Sequence, residues 1–403
     1  MPWQETSLMD QRVQFIADYQ RDECNVAELA RRYGISRKTA YKWMDRYQAD
    51  GPEGLLDRSR RPTHAPKAIA APIVDALLDV RRHHPTWGAK KLLKIVGTRH
   101  PSWELPARST VCNLLERAGL ITASRRRTTP AHPGRPLLPM TAPNGTWTAD
   151  FKGQFKTRDA VYCYPLTVVD GFSRYLLGCQ GVLSTAIEVA RPIFLRLFHE
   201  YGLPSVMRTD NGVPFATTAL GRLSTLSVWW IRLGILPELI APGSPQQNGR
   251  HERMHRTLKA EATRPPSGNL PAQQRRFNRF RQEYNHDRPH EALGQETPAS
   301  LYTPSSRTLP ARLSPLEYPG HFETRLVSRN SGIRWKKQWV CVTHTLAGEY
   351  GGLEEVGDGL WDVYFGPVTL GRMDERTGRI TDHKGRTVRR ASPADSAPAT
   401  VPE

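Results

Sequence analysis

The spacing of apolar residues changes once along this chain, and the position of that change limits the folds open to it. Up to residue 123 they recur at i, i+3, i+4 and i+7, the pattern of amphipathic helices; from residue 146 they alternate with polar residues, as half-buried strands require. Two stretches without either period fall between. Residues 51–67 gather Gly, Pro and Arg, and residues 124–145 (SRRRTTPAHPGRPLLPMTAPNG) hold five prolines and four arginines, so both read as linkers. A single domain is excluded. The expected order is two all-α units, over 1–50 and 68–123, then a mixed α/β core over 146–303 and a smaller β unit over 315–385.

Charge narrows the partners. Against 39 acidic residues stand 57 Lys and Arg, a formal net charge of +18 over 403 residues. Such an excess favours a polyanion, because neutralised phosphates release counterions. By itself it fits DNA, RNA or an anionic membrane surface. No apolar run reaches the roughly 18 residues of a membrane span, and the opening MPWQETSLMDQR has no secretory pattern. The five cysteines form no CxxC pair and read as buried or free thiols. The expectation is a cytoplasmic, nucleoid-associated protein without a membrane partner.

In the first unit Asn25 caps a helix, with Glu28 completing a capping box, and Val26, Leu29, Ala30 and Tyr33 form its apolar stripe. Gly34 ends it. Ser36 caps a second helix whose stripe, Ala40, Trp43, Met44 and Tyr47, leaves Arg37, Lys38, Tyr41, Lys42 and Arg46 on the other face. Two short helices about a Gly turn, the second basic, fit a helix-turn-helix that enters a major groove; an ordinary helical hairpin is the plainer alternative. In the second unit three stripes, around Leu77, Leu92 and Leu115, predict three helices, with Ser109 capping the third. Lys90, Lys91 and Lys94 on the middle helix suit a second DNA reader, and a spacer domain is the alternative. Arg125, Arg126 and Arg127 place basic charge in the linker that follows.

From residue 146, Trp147, Ala149 and Phe151 alternate with Thr148, Asp150 and Lys152, so Asp150 stands on the face opposite the apolar residues. Strands at 160–169 and 174–182 flank the turn Asp170-Gly171-Phe172-Ser173, a helix spans 185–201, and a short strand at 205–208 delivers Asp210 within TDNG. Asp170, before Gly171, reads as a turn former. Ser244, Pro245 and Gln247 mark a helix start. On that helix Glu252 shares a polar face with Asn248, His255, Arg256 and Lys259, while Met254 and Leu258 pack.

Five ordered blocks, Trp147 to Asp150, VVDGFSRY (168–175), RTDNG (208–212), PGSPQQNGRHERMH (242–255) and YNHDRPHEAL (284–293), resemble the catalytic core of insertion-sequence transposases of the retroviral-integrase superfamily. The similarity runs over about residues 142–303, and the helix-turn-helix arrangement ahead of it also fits. The resemblance implies an RNase H-like core and an Asp-Asp-Glu triad that falls on Asp150, Asp210 and Glu252. The stretch from Asp210 to Glu252 is longer than the family's usual one, which would end at Gln246. Glu252 is preferred because it follows Asn-Gly at the helix start, as the family's Glu does.

Three such carboxylates serve as ligands for Mg²⁺, with Mn²⁺ as a substitute. Two ions clamp the attacking and leaving oxygens of a phosphoryl displacement, with Asp150 expected to bridge them. Gln247, Asn248, Arg250, Arg256 and Lys259 are the candidate DNA contacts near the reacting phosphate. The implied partner is double-stranded DNA, at element ends and target, bound by a homodimer or larger homo-oligomer. Two other classes stay open: a catalytically silent DNA-binding regulator, and a recombinase with a Tyr or Ser nucleophile. At the carboxy end, runs at 335–343 and 360–365 predict a small β-barrel, where Arg334, Lys336 and Lys337 beside Trp335 and Trp339 suit nucleic-acid or subunit contacts. Residues 388–403 read as a disordered tail.

Overall fold

The computed structural model describes residues 7–22, 24–58, 69–121, 138–241, 245–382 and 385. The chain divides into two compact units, Met1–Ile69 and Ala70–Glu403. Among the described residues no helix is long and apolar enough to cross a membrane.

The first unit holds α1 (Leu8–Gln20), α2 (Val26–Arg32) and α3 (Arg37–Asp50). Each start is fixed by a side chain that accepts a hydrogen bond from an otherwise unpaired amide: Ser7 from Asp10, Asn25 from Glu28 and Ser36 from Thr39. Gly34, at φ +67°, lets the chain turn sharply between α2 and α3. Phe15, Ile16, Leu29, Ala30, Ala40 and Trp43 make the core. Gly51–Leu55, at the start of the stretch read as a linker, is a 3₁₀ turn, and Leu55 is buried in that core.

In the second unit α4 (Ala71–His83), α5 (Ala89–Arg99) and α6 (Arg108–Arg117) pack around Leu77, Leu92, Val96, Val111 and Trp87. The expected cap at Ser109 is not formed: α6 starts two residues earlier, at Arg108 after Ala107, without a side-chain cap.

The central sheet runs β4 (Leu176–Val182), β3 (Tyr162–Asp170), β1 (Thr146–Phe151), β5 (Val206–Thr209) and β6 (Leu236–Leu239), with the two-residue β2 (Phe155–Lys156) pairing the start of β3. β1 pairs antiparallel with β3 and parallel with β5. Side chains alternate across the sheet as the pleat demands. On one face Trp147, Ala149, Leu166 and Val168 pack with α7 (Ile187–Tyr201) and α8 (Thr225–Arg232). On the other, Cys163, Val169 and Leu176 pack with α9 (Gly249–Ala262) and α10 (Leu270–His286), and a short α11 (Pro298–Leu301) follows. Trp147, Phe194, Phe198 and Trp230 are wholly buried, each contributing about 2–3 kcal/mol through apolar area removed from water.

The stretch after Asp210 that lengthens the spacing to Glu252 is no slack loop. It contains α8, whose Leu226, Trp229 and Trp230 enter the central core while Val228 and Ile231 enter the carboxy-terminal one.

The carboxy-terminal strands are β7 (Glu323–Leu326), β8 (Gly332–Trp335), β9 (Gln338–Cys341), β10 (Tyr350–Gly357), β11 (Leu360–Phe365), β12 (Val368–Asp374) and β13 (Arg379–Thr381). The expected barrel is not found among the described residues. Five strands form an open antiparallel sheet in the order β13-β12-β11-β10-β7, and β8-β9 is a separate hairpin. The edge strands β7 and β13 pair only inward, and the core is covered instead by the hairpin and by α8. The tail 388–403 lies outside the described residues.

Candidate active site

Strand register builds the site. Ala149 and Thr209 are partners in the parallel β1–β5 pair, so Asp150 and Asp210, each one residue further on, sit at adjacent strand ends about 5 Å apart in the sheet. The loop after β5 is braced: the Gly212 amide donates to Asp210 Oδ1 at 3.1 Å and Asn211 donates to the Ile240 carbonyl at 2.9 Å. A Cβ on Gly212 would stand 3.1 Å from Asp210 Oδ2, tight enough to displace the carboxylate.

α9 brings the third carboxyl. It lies across β1 and β3 through two histidines one turn apart. His251, fully buried, places Nδ1 2.7 Å from Thr148 Oγ1 and Nε2 2.7 Å from Thr167 Oγ1; His255 Nε2 is also 2.7 Å from Thr167 Oγ1. His255 Nδ1 faces Asp150 Oδ2 at 3.6 Å. Glu252, beside His251 in the first turn, is exposed. Asp150 responds to this company: burial first, then the charge of Asp210 and more weakly that of Glu252, push its carboxyl up to about 7, against the pull of Lys152. Burial also raises Asp210, pushes His251 down to about 3 and lowers His255, so both imidazoles are neutral.

Potential ligand atoms of Asp150, His251 and His255 lie within 4.8 Å of one another. This is not an open histidine metal site: three of the four ring nitrogens are engaged by threonine hydroxyls. Of the three expected carboxylates only Asp150 belongs to this group; Asp210 and Glu252 act on it through their charge.

Several residues land elsewhere than the helical pattern implied. α9 begins at Gly249 with Asn248 as an uncapped N-terminal residue, Pro245–Asn248 forms a 3₁₀ turn, and Ser244 lies outside the described residues. Gln247 turns back to accept from the Ala241 amide at 2.7 Å. Asn248 and His255 are 5% exposed and so leave the polar face, on which Arg256 and Lys259 remain. Arg250 donates to the Gly171 carbonyl at 2.9 Å. Asp170 is wholly buried and accepts from the amides of Asn144 and Ser173, both at 2.8 Å, and from the Ser173 hydroxyl at 2.6 Å.

On α3, Arg37, Lys38, Tyr41 and Lys42 are exposed, and Lys42 and Arg46 flank the Trp43 ring. On α5 the lysines have partners in the core: Lys90 pairs with Glu291, Lys94 with Glu296 at 2.7 Å, and half-buried Lys91 is lowered to about 8 by burial and by Arg288. Lys336 pairs with Glu375, Trp335 is buried against Trp361, and Trp339 is exposed. Arg125, Arg126 and Arg127 lie outside the described residues.

Comparison with known proteins follows the same order along the chain. Residues 140–245 and 233–298 match the Integrase core domain, residues 11–63 a Helix-turn-helix domain and residues 39–115 a Homeodomain-like domain. The chain is 28% identical over 247 residues to the insertion element IS476 uncharacterized 39.2 kDa protein of Xanthomonas euvesicatoria, covering 60% of this chain and 66% of that one. Identity to the insertion element IS407 uncharacterized 31.7 kDa protein of Burkholderia multivorans is 28% over 61% of this chain and 85% of that one. The Gag-Pol polyprotein of feline leukemia virus is 32% identical over 30% of this chain but only 7% of its own length. The chain thus spans just under two thirds of the first relative and a small part of the polyprotein. Among solved structures, the HTLV-2 integrase catalytic core domain in complex with magnesium aligns over 42% of this chain and 100% of that one, at 19% identity and TM-score 0.33. The family matches identify residues 140–298 as an integrase core domain, and over about 60% of its length the chain is similar to insertion-element proteins.

Proposed function

We propose that the chain is a metal-dependent transposase that binds the ends of its mobile element, cleaves DNA there and joins it to a target, with Asp150, Asp210 and Glu252 as its active-site carboxylates. The observation that carries this reading is electrostatic. Carboxyls from β1, from the end of β5 and from α9 are close enough that burial and the negative charge of the other two raise Asp150 to about 7. A buried carboxyl that resists ionising beside two other acids is relieved by divalent cations. The donor set fits Mg²⁺, a hard ion that takes oxygen ligands and keeps waters, since it is rich in carboxylate oxygens and three of the four neighbouring imidazole nitrogens are engaged by threonines. When bound, such a cation would supply charge stabilisation to the attacking and leaving oxygens of an in-line displacement.

The chain's own residues do the rest. The paired strand ends hold two carboxylates at fixed separation, and the anchored α9 holds the third. Arg256 and Lys259, exposed on α9, and Arg250 at the helix entrance suit phosphate contacts, whereas Gln247 is turned back to Ala241 and Asn248 is buried. The basic face of α3 serves recognition of the element ends. Two ends joined to one target require at least two copies of the chain on DNA.

The test is a plasmid carrying the gene's own flanking sequence, incubated with purified protein and Mg²⁺ or Mn²⁺. Cleavage and joining at the flanks by the wild type, lost in both Asp210→Ala and Glu252→Ala, is the expected result. Tight binding without metal-dependent cleavage under any condition would make the chain a DNA-binding regulator instead.

A further inference from the structure

We infer that His255 is a positioning residue for Asp150: a neutral imidazole that presents its Nδ1 proton to Asp150 Oδ2, with its tautomer set by a line of hydrogen bonds through Thr148, His251 and Thr167. The inference rests on the reading of Asp150 as an active-site carboxylate. It comes from counting protons in the buried cluster between α9 and the sheet.

The Thr167 hydroxyl lies 2.7 Å from Nε2 of both histidines and has one proton, so it donates to one ring at most. With Asp150 ionised, one arrangement gives every ring nitrogen a complementary partner. Thr148 donates to His251 Nδ1, His251 Nε2 donates to Thr167, and Thr167 donates to His255 Nε2. The remaining proton of His255 then sits on Nδ1, facing Asp150 Oδ2 at 3.6 Å. A shift of about half an ångström by the carboxylate closes that pair to hydrogen-bond range.

Competing arrangements spend the Thr167 proton on the Asp150 carbonyl, 3.0 Å away, or the Thr148 proton on the Val169 carbonyl, 3.3 Å away. Both move the His255 proton to Nε2 and set a lone pair against Asp150, which is repulsive once that carboxyl is ionised. The location argues for a purpose as well. Thr148 and Thr167 are 2% and 0% exposed, and His251 and His255 are 0% and 5%. Valine would fill either threonine position without the cost of burying a hydroxyl, whereas a complete polar line ending on one carboxylate fixes that carboxylate's orientation.

The test uses the full chain with ¹⁵N-labelled histidine rings at pH 8.5, without metal, the His255 signals being assigned by their disappearance in His255→Asn. A neutral ring protonated on Nδ1 is expected; a proton on Nε2, or a charged ring, overturns the inference without any variant having to function. In parallel, Mn²⁺ is titrated and the free ion followed by electron paramagnetic resonance. His255→Leu should weaken Mn²⁺ binding about tenfold, and His255→Asn, whose amide N–H takes the place of Nδ1, should stay close to wild type. A His255→Leu chain that binds as tightly as wild type overturns this inference alone, whereas a wild-type chain with no Mn²⁺ affinity overturns the metal reading of the whole site.

Discussion

Arg288 grips Glu261 through both carboxylate oxygens, at 2.7 and 2.9 Å, while its guanidinium lies 5.9 Å from the centre of the Trp87 ring. The last turn of α9, the end of α10 and the helical unit before the core meet at this ion pair, and Arg288 is 8% exposed. Removing one partner of a pair this buried strands the other charge. Arg288→Ala should therefore destabilise the second unit by about 3 kcal/mol, seen as an earlier urea midpoint. Lys94→Ala, which breaks an exposed pair with Glu296, should cost under about 1 kcal/mol. Equal losses in the two variants would contradict the assignment of Arg288 to packing.

Asp150 gives the site a pH signature. Its carboxyl titrates near 7 in the folded chain and near 3.8 in an unstructured one. Between those values the folded chain keeps a proton that the unfolded chain has released, so stability present at acid pH is lost as pH rises through that window and does not return above it. Without divalent cations, Asp150→Asn should be more stable than wild type at pH 8, by an amount on the order of a few kcal/mol, and so melt higher, while the two should melt at nearly the same temperature at pH 4. Added Mg²⁺ should raise the melting temperature of the wild type and leave the variant unchanged. Thermal melts at the two pH values, with and without Mg²⁺, decide this.

The parts of the fold and site that were legible in the sequence are those written in local pattern. Period-two alternation around Trp147 and Ala149 puts Asp150 on the opposite face of β1, where the structure has it, because the pleat leaves no choice. Asn25 and Ser36 cap α2 and α3 as their positions suggest. The equally local Ser7–Asp10 box that starts α1 escaped notice. What failed was non-local. Ser244, Pro245 and Gln247 imitate a helix start, but Gln247 spends its side chain on Ala241 and the helix waits until Gly249. His255 reads as part of a polar face because nothing near it in sequence announces Thr167, 88 residues away, as its partner. Barrel closure likewise depends on which edge strands meet, and β7 and β13 do not.

Asp170 separates a structural acid from a ligand. Both its oxygens are taken inside the turn that links β3 to β4, by the Asn144 amide and by the amide and hydroxyl of Ser173. Asp170→Asn replaces one acceptor by an NH₂ that faces a donor, so at least one buried hydrogen bond is lost at a cost of about 1–3 kcal/mol. The variant should melt lower yet bind Mn²⁺ with wild-type affinity. A loss of Mn²⁺ binding by a folded Asp170→Asn chain would move Asp170 into the metal site.

The first unit allows recognition and folding to be separated on one helix. Arg37, Lys38 and Lys42 are exposed along α3, whereas Trp43 is 7% exposed, part of the core, with Arg12 stacked at 4.0 Å from its ring. Trp43→Ala should unfold the unit or cost it about 3–5 kcal/mol. Substituting the three basic residues by Ala should cost at most about 1 kcal/mol, for the loss of the Lys42–Trp43 contact. If α3 lies on DNA, that triple variant loses affinity for duplex DNA in general, and its log–log dependence on KCl flattens by about 0.9 for each phosphate contact removed. Fluorescence anisotropy of a labelled duplex across a KCl series measures that slope. A triple variant with the wild-type slope would mean that α3 touches no phosphate, leaving α2 and α3 an ordinary helical hairpin and the DNA contacts to be sought on other basic surfaces of the chain.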